Sequence, residues 1–390
     1  MTSTTLSRRS PEARPYQKRI AARVVENWNR FESQLIVAPT GAGKSYLALD
    51  AARRMVQEVA PRLHGVKPEE VGVFWMAMRS NLLSQTDQAN REFIPEGIDT
   101  GVYCPNLHFV SSFARRLDPG DYKIRILISD EAHHSSTTSE TTIIDSLKPN
   151  YVLGLSATPL RTDRAQLCFQ TVIRDAGYRT LIKEGYLSQF RHYSMEKWSP
   201  EHAVAKYLED PKRWGKSLFF FRTLEECHRA AALLKENGHP TGVVWGGSDR
   251  QELLQDFLHG DQKTLISMAI LAEGFDAPSL ETVFVRDTFS STVAIQMSGR
   301  VLRLHKDTPI KNIVQTVDCR HPFLREAAPA EQYIERSGKW VSVLASERAK
   351  QLAELTARRI KENPKSITMP DWKKIAASLN KAVVNTVDDI

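Results

Sequence analysis

Short runs of Val, Ile, Leu and Phe alternate along the chain with longer segments in which apolar residues recur at helical spacing. Before residue 180 the strand-like runs are 34–38, 72–77, 108–111, 124–129 and 152–155. After residue 215 they are 217–221, 242–245, 264–268, 282–285 and 312–317. Continuous apolar runs of this length are typical of buried parallel strands joined by crossover helices, so the pattern predicts an α/β fold with mainly parallel sheets.

The strand-like runs restart after residue 215, which predicts two α/β domains in tandem. Residues 179–200 carry mixed charge with little periodicity, and we place the linker there. From residue 326 the strand signal stops, and helical spacing over 341–360 predicts a short helical C-terminal extension. The expected organisation is a flexible tail at 1–13, a first domain at 14–185, a second at 186–325 and the extension at 326–390.

The composition is that of a soluble, folded protein. The chain has 390 residues, of which 41% are hydrophobic and 25% charged, enough for two or three domains. Apolar runs stay far below the roughly eighteen residues that a membrane span needs. The formal net charge of +7 favours an anionic partner, with nucleic acid first among the candidates.

The cysteines and the N-terminus indicate a cellular setting. The scattered cysteines form no Cys-x-x-Cys pair, which favours a reducing, cytoplasmic setting without structural metal; they are Cys104, Cys168, Cys227 and Cys319. The first fifteen residues lack the apolar core of a secretory signal. Because they are rich in Ser, Thr and Arg, a short organellar presequence stays open beside a disordered tail.

A glycine-rich loop joins the strand at 34–38 to a predicted helix over 46–59. The loop consists of Pro39, Thr40, Gly41, Ala42, Gly43, Lys44 and Ser45. A strand, a glycine loop and a helix in this order are the context of a P-loop, in which backbone N–H groups converge on phosphate oxygens. We expect Lys44 to reach the β- and γ-phosphates of ATP and Ser45 to ligate Mg²⁺. A kinase or a GTPase could carry the same loop.

An acidic pair follows the strand at 124–129. At the carboxyl end of a buried strand, Asp130 would lie beside the phosphate loop and hold Mg²⁺ directly or through water. Glu131 would then orient and deprotonate the attacking water. Loops are often acidic, so the assignment depends on the preceding phosphate loop in the same α/β unit.

The acidic pair belongs to a segment that resembles a motif of a known family. Residues 130–133, Asp-Glu-Ala-His, resemble motif II of the superfamily 2 helicases. A resemblance to motif III follows in Ser156, Ala157 and Thr158. It implies that Ser156 and Thr158, together with His133, couple the ATP site to the domain interface. The segment Arg14, Pro15, Tyr16 and Gln17 is similar to the adenine-recognising segment of the family, with Arg14 and Gln17 as nucleotide contacts. A plain Ser/Thr turn and an ordinary helix start would have the same residues.

Two segments of the second domain extend the resemblance. Residues 273–278 resemble motif V, which implies nucleotide contacts from Gly274 and Asp276. Residues 296–303, Gln-Met-Ser-Gly-Arg-Val-Leu-Arg, resemble motif VI, which implies catalytic roles for Gln296, Arg300 and Arg303. The order of all these segments is that of the family and excludes a kinase or a GTPase.

The two arginines of motif VI suit phosphoryl transfer. A fixed guanidinium stabilises the charge that develops on the phosphates far better than water does. On a helix, Arg300 and Arg303 would share a face, although two solvated arginines would have the same spacing. The resemblance predicts one nucleotide between two RecA-like domains, with Lys44 on one and Arg303 on the other.

The resemblance also implies a path for one nucleic-acid strand. By position, Arg79, Ser80 and Asn81 resemble motif Ia, Ser111 and Ser112 resemble motif Ib, and Arg222 and Thr223 resemble motif IV. Such side chains at strand ends suit phosphate oxygens, which position a strand without reading its sequence. We therefore expect sequence-independent binding that weakens steeply with salt.

Within superfamily 2, the acidic box and motifs V and VI look most like the DNA motors that include restriction-enzyme motor subunits, phage fork-remodelling helicases and the transcription-repair helicase. DNA is therefore the first expectation for the substrate, with ATP and Mg²⁺ as cofactors. Three alternatives stay open: an RNA helicase, a double-stranded DNA translocase that does not separate strands, and a binding module without catalysis.

Overall fold

The computed structural model describes residues 13–77, 107–111, 120–134, 138–159, 167–246, 248, 250–268 and 277–345. The chain divides into two compact units, of which the first ends at Thr180 and the second begins at Leu181. We call them the N-terminal unit and the C-terminal unit. The division falls inside the segment in which the sequence predicts a linker. Over the described ranges no helix is long and apolar enough to cross a membrane.

A parallel sheet forms the centre of the N-terminal unit. Its described strands are β1 (Ser33–Val37), β2 (Val71–Ala77), β3 (Leu107–Ser111), β4 (Ile124–Ser129), β5 (Tyr151–Ser156) and β6 (Thr171–Ile173). They lie in the order β3-β2-β4-β5-β1-β6, and every neighbouring pair is parallel. Because β4, β5 and β1 are neighbours, the loops that follow their carboxyl ends share one edge of the sheet. The predicted strands of this unit are all present, and β6 is an addition.

The helices of this unit are α1 (Pro15–Asn27), α2 (Lys44–Arg54), α3 (Ala60–His64), α4 (Thr138–Leu147) and α5 (Tyr178–Lys183), which crosses the division. A π-helical turn over Met55–Val59 joins α2 to α3, and Ala60 N donates to Met55 O. Pro61 explains this turn, because proline has no N–H and its ring collides with the carbonyl four residues earlier. The helix predicted over 46–59 is thus present, and the chain stays helical beyond it.

The C-terminal unit is built on a larger sheet. Its strands within the described ranges are β7 (Gln189–Met195), β8 (Ser217–Phe220), β9 (Thr241–Val244), β10 (Thr264–Ser267), β11 (Thr282–Val285), β12 (Ile310–Thr316), β13 (Gln332–Arg336) and β14 (Lys339–Ser342). The order is β14-β13-β7-β12-β11-β8-β10-β9, with only the β13–β14 pair antiparallel among the described pairs. Its helices are α6 (Pro200–Glu209), α7 (Pro211–Trp214), α8 (Leu224–Glu236), α9 (Arg250–His259) and α10 (Ser291–Gly299).

Two parts of this sheet differ from the sequence predictions. β7 lies in the segment predicted as a linker, where it pairs with β12 along its whole length. The β13–β14 hairpin lies in the region predicted to be helical, and the prediction is wrong there. The hairpin's Trp340 packs edge to face on Tyr193 of β7 at a ring-centroid distance of 5.0 Å. Burial of these aromatic rings favours strands over the expected helix. Residues 346–390 lie outside the described part of the chain.

Candidate nucleotide site

The phosphate loop leaves β1 and enters α2 as the sequence predicts. Gly41 and Gly43 have positive φ angles of 84° and 75°, which favour glycine. Gly43 is the N-cap of α2, and Lys44 and Ser45 form the first residues of that helix, half-buried. The first N–H groups of a helix have no partner within the helix, so they can bind phosphate oxygens at this end. The loop therefore has the geometry that a nucleotide phosphate requires.

The segment before the loop holds the loop's backbone directly. The hydroxyl of Tyr16 and the side-chain amide of Gln17 both donate to Ala42 O, the latter at 3.0 Å. Gln17 Oε1 accepts from Arg14 N at 2.9 Å, and Arg14 Nη1 lies 3.3 Å from Tyr16 Oη. Both Tyr16 and Gln17 are buried, and α1 begins at Pro15. The amide of Gln17 thus positions the phosphate loop, a structural role beside the base-reading role that the resemblance implies.

Two further groups hold the loop. Thr40 is buried, and its N–H donates to the hydroxyl of Tyr178 at 3.1 Å. Ala38 N donates to Ser156 O at 3.1 Å, and buried Pro39 O accepts from Ala42 N. Sequence reasoning missed Tyr178, because a tyrosine so far along the chain carries no local signal of this contact.

The acidic box lies at the carboxyl end of β4, two strands from the phosphate loop. One strand, β5, separates β4 from β1, so the two loops are about 10 Å apart at the sheet edge. Asp130 N donates to Met76 O at 2.9 Å, and Glu131 N donates to Asp130 Oδ1 at 3.0 Å. Glu131 has a φ of 52°, a left-handed conformation that is rare for a non-glycine residue and clusters at functional sites. Asp130 and Glu131 are both half-buried.

Glu131, His133, Ser156 and Thr158 form a continuous polar chain. His133 Nδ1 lies 3.4 Å from Glu131 Oε2 and 3.5 Å from Ser156 Oγ. Ser156 Oγ in turn accepts from Thr158 N at 3.2 Å. His133, Ser156 and Thr158 are all buried. The structure thus brings together the three residues that the sequence assigns to coupling and joins them to Glu131.

The motif VI residues of the C-terminal unit lie at the end of α10. Gln296 is buried on α10, and Arg300 is buried on the 3₁₀ turn that follows Gly299. Arg303 leaves this turn in extended backbone, with φ −66° and ψ 140°, so the prediction that one helix face carries both arginines is wrong. Two hydrogen bonds from Ser188 hold this extended backbone. The N–H of Ser188 donates to Leu302 O at 2.8 Å, and its hydroxyl donates to Arg303 O at 3.0 Å.

A buried lysine, missed by sequence reasoning, joins the end of motif V and the residue Leu280 to the segment that follows motif VI. Lys311 on β12 is fully buried, and its Nζ donates to Pro278 O at 2.9 Å, Leu280 O at 2.7 Å and Thr308 Oγ1 at 2.6 Å. Burial lowers the pKa of Lys311 to about 8. A lysine in a strand is usually solvated, so the sequence carries no signal of this role.

Of the motif IV residues, Thr223 has a structural task. It is the N-cap of α8: Thr223 Oγ1 accepts from Glu226 N at 3.2 Å, and Glu226 Oε2 accepts from the N–H groups of Arg222 and Thr223. The side chain of Arg222 is exposed. The prediction of a phosphate contact therefore depends more on Arg222 than on Thr223.

Several predicted site residues lie outside the part of the chain that the structure describes. They are Arg79, Ser80, Asn81, Ser112, Gly274 and Asp276. Ser111 ends β3, but only its backbone is described. The assignments of motif Ia, motif Ib and motif V stay predictions.

Known proteins resemble both units. Residues 10–161 match the family model of the type III restriction enzyme res subunit, and residues 200–305 match the helicase conserved C-terminal domain. A solved structure of the ATP-dependent type ISP restriction-modification enzyme LlaBIII bound to DNA superposes with a TM-score of 0.56 at 13% identity, covering 79% of this chain and 28% of that one. At this identity the likeness concerns the fold alone, and that fold is a tandem of RecA-like domains.

Curated relatives are helicases of two kinds. The chain is 27% identical over 237 residues to the putative ATP-dependent helicase IRC3 of Saccharomyces cerevisiae, covering 50% of this chain and 34% of that protein. It is 21% identical over 357 residues to the DNA 3'-5' translocase XPB2 of Sulfurisphaera tokodaii, covering 75% and 79%. A shorter match is 36% identical over 72 residues to the ATP-dependent RNA helicase DBP5 of Kluyveromyces lactis, covering 18% and 15%.

Fold, phosphate loop and acidic box together define a tandem of RecA-like domains with a nucleotide-binding loop in the first. The chain carries, in this order, a res-subunit domain and a helicase conserved C-terminal domain, and it resembles the superfamily 2 helicases of the restriction-enzyme motor and repair group. It spans about a third of the length of the S. cerevisiae relative.

Proposed function

We propose that this chain hydrolyses ATP at its phosphate loop and uses the energy to move along or remodel DNA. In this proposal Lys44 binds the β- and γ-phosphates, and Glu131 orients and deprotonates the attacking water. A Mg²⁺ ion would be held by the hydroxyl of Ser45 and the carboxylate of Asp130, where it would neutralise phosphate charge.

One observation carries this proposal: the phosphate loop and the acidic box follow strands that are separated only by β5. Ligands of parallel α/β sheets bind at the carboxyl ends of the strands. Gly41 and Gly43 give the loop its left-handed turns, and an added Cβ on Gly43 would meet Gln17 Nε2 at 2.6 Å. The cradle therefore fits a phosphate group and leaves no room for a side chain at Gly43.

The C-terminal unit would supply the second half of the site. We assign Arg300 and Arg303 to stabilising the charge of the transition state, with Gln296 beside them. Gly274 and Asp276 would contact the nucleotide, as the resemblance to motif V implies. Because the two halves lie on different units, hydrolysis would depend on closure, and closure would move the bound strand.

The polar chain that begins at Glu131 supports a coupling role. A change in the position of Glu131 would alter its contact with His133, and through Ser156 it would reach the backbone of Thr158. We propose that His133, Ser156 and Thr158 transmit the state of the ATP site to the segment that follows β5.

DNA is the proposed substrate. XPB2 is named as a DNA translocase and the LlaBIII structure contains DNA. The shorter match to the RNA helicase DBP5 keeps an RNA helicase as the second candidate. We propose that Arg79, Ser80, Asn81, Ser111, Ser112, Arg222 and Thr223 contribute phosphate contacts. A cytoplasmic location stays a prediction.

The rate of ATP hydrolysis with single-stranded, duplex, forked and branched DNA and with matching RNA tests this proposal. We expect strong stimulation by at least one DNA form and weaker stimulation by RNA. Stimulation by blunt duplex without displacement of a labelled strand would identify a double-stranded translocase. Absence of stimulation by every nucleic acid would contradict the proposal.

Glu131→Gln is the matched control for this assay. The substitution keeps size and hydrogen-bonding capacity but removes the base, so the variant should bind ATP and DNA while turnover falls by about a hundredfold or more. Near-normal turnover would remove Glu131 from its assigned role.

A further inference from the structure

An aromatic side chain stands out on the surface of the C-terminal unit. Phe289 is 60% exposed, more than any other large hydrophobic residue of the described ranges. It lies in the short loop between β11 and α10, immediately before Ser290, the N-cap of the motif VI helix. An exposed phenylalanine ring gains free energy when a ligand covers it, which makes this position a candidate contact surface.

The ring is held in place by its neighbours. The guanidinium of Arg320 lies over the ring of Phe289 at 4.0 Å from its centroid. Arg320 is itself fixed by Asp287, whose carboxylate accepts from Arg320 N at 2.9 Å and from Arg320 Nη1. His321 Nε2 donates to Phe289 O at 3.1 Å. The aromatic surface is therefore organised before any ligand binds.

Three arginines lie around Phe289, together with the carboxylates of Asp287 and Glu226. β11 lies between β8 and β12, so the loops that carry Arg222, Phe289 and Arg320 leave neighbouring strands at the same sheet edge. Arg286, also on this edge, has a pKa lowered by burial and by the nearby charge of Arg222. Asp287 is paired with Arg320. We call Arg222, Arg286, Phe289, Arg320 and His321 the stacking patch.

We propose that the stacking patch binds an unpaired nucleobase of a single strand, which stacks on the exposed part of the Phe289 ring opposite Arg320, with Arg222 and Arg320 beside the adjoining phosphates. An aromatic ring flanked by arginines is the chemistry that binds single strands, since every base has a π-face and every nucleotide a phosphate. The inference rests on the proposed function and adds to it a contact with bases, whereas the motif residues supply contacts with phosphates.

Binding of the full-length chain to oligothymidylate, compared with an oligomer of equal length whose sites are abasic, tests the inference. The two ligands carry the same phosphates, so their affinities differ only through the bases. We expect the wild-type chain to prefer the oligomer with bases by about tenfold. Phe289→Ala should lose most of this preference and keep the slope of affinity against salt, which reports phosphate contacts.

Two variants complete the test. Phe289→Trp should retain the preference, because indole offers a larger π-surface. Leu344→Ala removes another exposed apolar side chain of the same unit, 44% exposed, and should bind both oligomers like the wild type. Since Phe289 is largely exposed, its alanine variant should unfold at the wild-type temperature, which separates a lost contact from a lost fold.

Two results would overturn the inference. In one, the wild-type chain binds both oligomers equally, with the usual salt dependence; this would leave the proposed function intact and reduce binding to phosphate contacts. In the other, Phe289→Ala keeps the full preference for bases. A chain that binds neither oligomer at any salt concentration would instead contradict the proposed function together with this inference.

Discussion

At the scale of single residues, buried polar side chains decide how this protein responds to pH. His192 on β7 is buried, its Nε2 donates to Gln315 Oε1 at 3.0 Å, and its Nδ1 lies 3.4 Å from Ser194 Oγ. Burial lowers the pKa of His192 to about 4. The folded state therefore holds a neutral imidazole, whereas the unfolded chain takes up a proton near pH 6.5.

The sign of the effect on stability follows from this difference. The contribution of His192 is complete above pH 6.5 and is lost as the pH falls toward 4, because only the unfolded state binds the proton in this range. His192→Gln removes the titration. The difference in unfolding free energy between wild type and variant should fall by roughly 3 kcal/mol between pH 7 and pH 4, as measured by urea unfolding. An unfolding free energy that changes equally with pH in the wild type and the variant would contradict this prediction.

Gly43 is the residue whose conformation the phosphate loop most needs. Its φ is +75°, and a Cβ there would lie 2.6 Å from Gln17 Nε2, so Gly43→Ala should lower stability by about 1–2 kcal/mol and weaken ATP binding. Gly177→Ala is the matched control, since a Cβ there meets nothing within 4 Å. Thermal unfolding with and without ATP measures both effects. Equal behaviour of the two variants would show that the loop tolerates a side chain.

At the scale of elements, a buried ion pair attaches the β13–β14 hairpin to the C-terminal unit. Glu335 of β13 lies 2.8 Å from Lys206 Nζ and 2.8 Å from His202 Nε2, both on α6. Burial alone would raise the pKa of Glu335, but its hydrogen bonds with Lys206 and His202 outweigh this and the pKa is lowered. Lys206 Nζ also donates to Gly338 O in the hairpin turn at 2.9 Å.

Glu335→Ala would remove one of the two carboxylates that balance the positive charge of buried Lys206. We expect the unfolding free energy to fall by about 3–5 kcal/mol and the hairpin amides to exchange hydrogen faster. Glu209→Ala removes the other carboxylate that Lys206 contacts, at 2.7 Å, but this carboxylate is 50% exposed and its loss should cost less than about 1 kcal/mol. Similar losses of unfolding free energy in the two variants would contradict the idea that the buried Glu335–Lys206 pair attaches the hairpin.

The elements that the sequence predicts are those with continuous apolar runs, such as β4 and β11. β7 was missed because its buried face includes His192 and Ser194, whose polar side chains break the apolar pattern. The hairpin was missed because its strands are short and take their stability from Tyr193 and the Lys206 pair, distant in sequence. Local chemistry predicts the phosphate loop and the acidic box, whereas Tyr178 and Ser188 act through tertiary contacts that no local pattern carries.

At the scale of the whole molecule, the proposed function divides the catalytic groups between the two units. The N-terminal unit has the phosphate loop and the acids, and the C-terminal unit has Gln296, Arg300 and Arg303. The proposed hydrolysis depends on both sets, because the arginines would stabilise charge that the phosphate loop alone leaves unbalanced.

Single-turnover hydrolysis of ATP by Arg303→Ala, with saturating DNA, tests this account most directly. Arg229→Ala, which removes an exposed arginine of α8, is the control and should hydrolyse ATP at the wild-type rate. We expect the single-turnover rate of Arg303→Ala to be about a thousandfold lower, with ATP still bound by the phosphate loop. Hydrolysis by Arg303→Ala at the rate of the control would contradict the account.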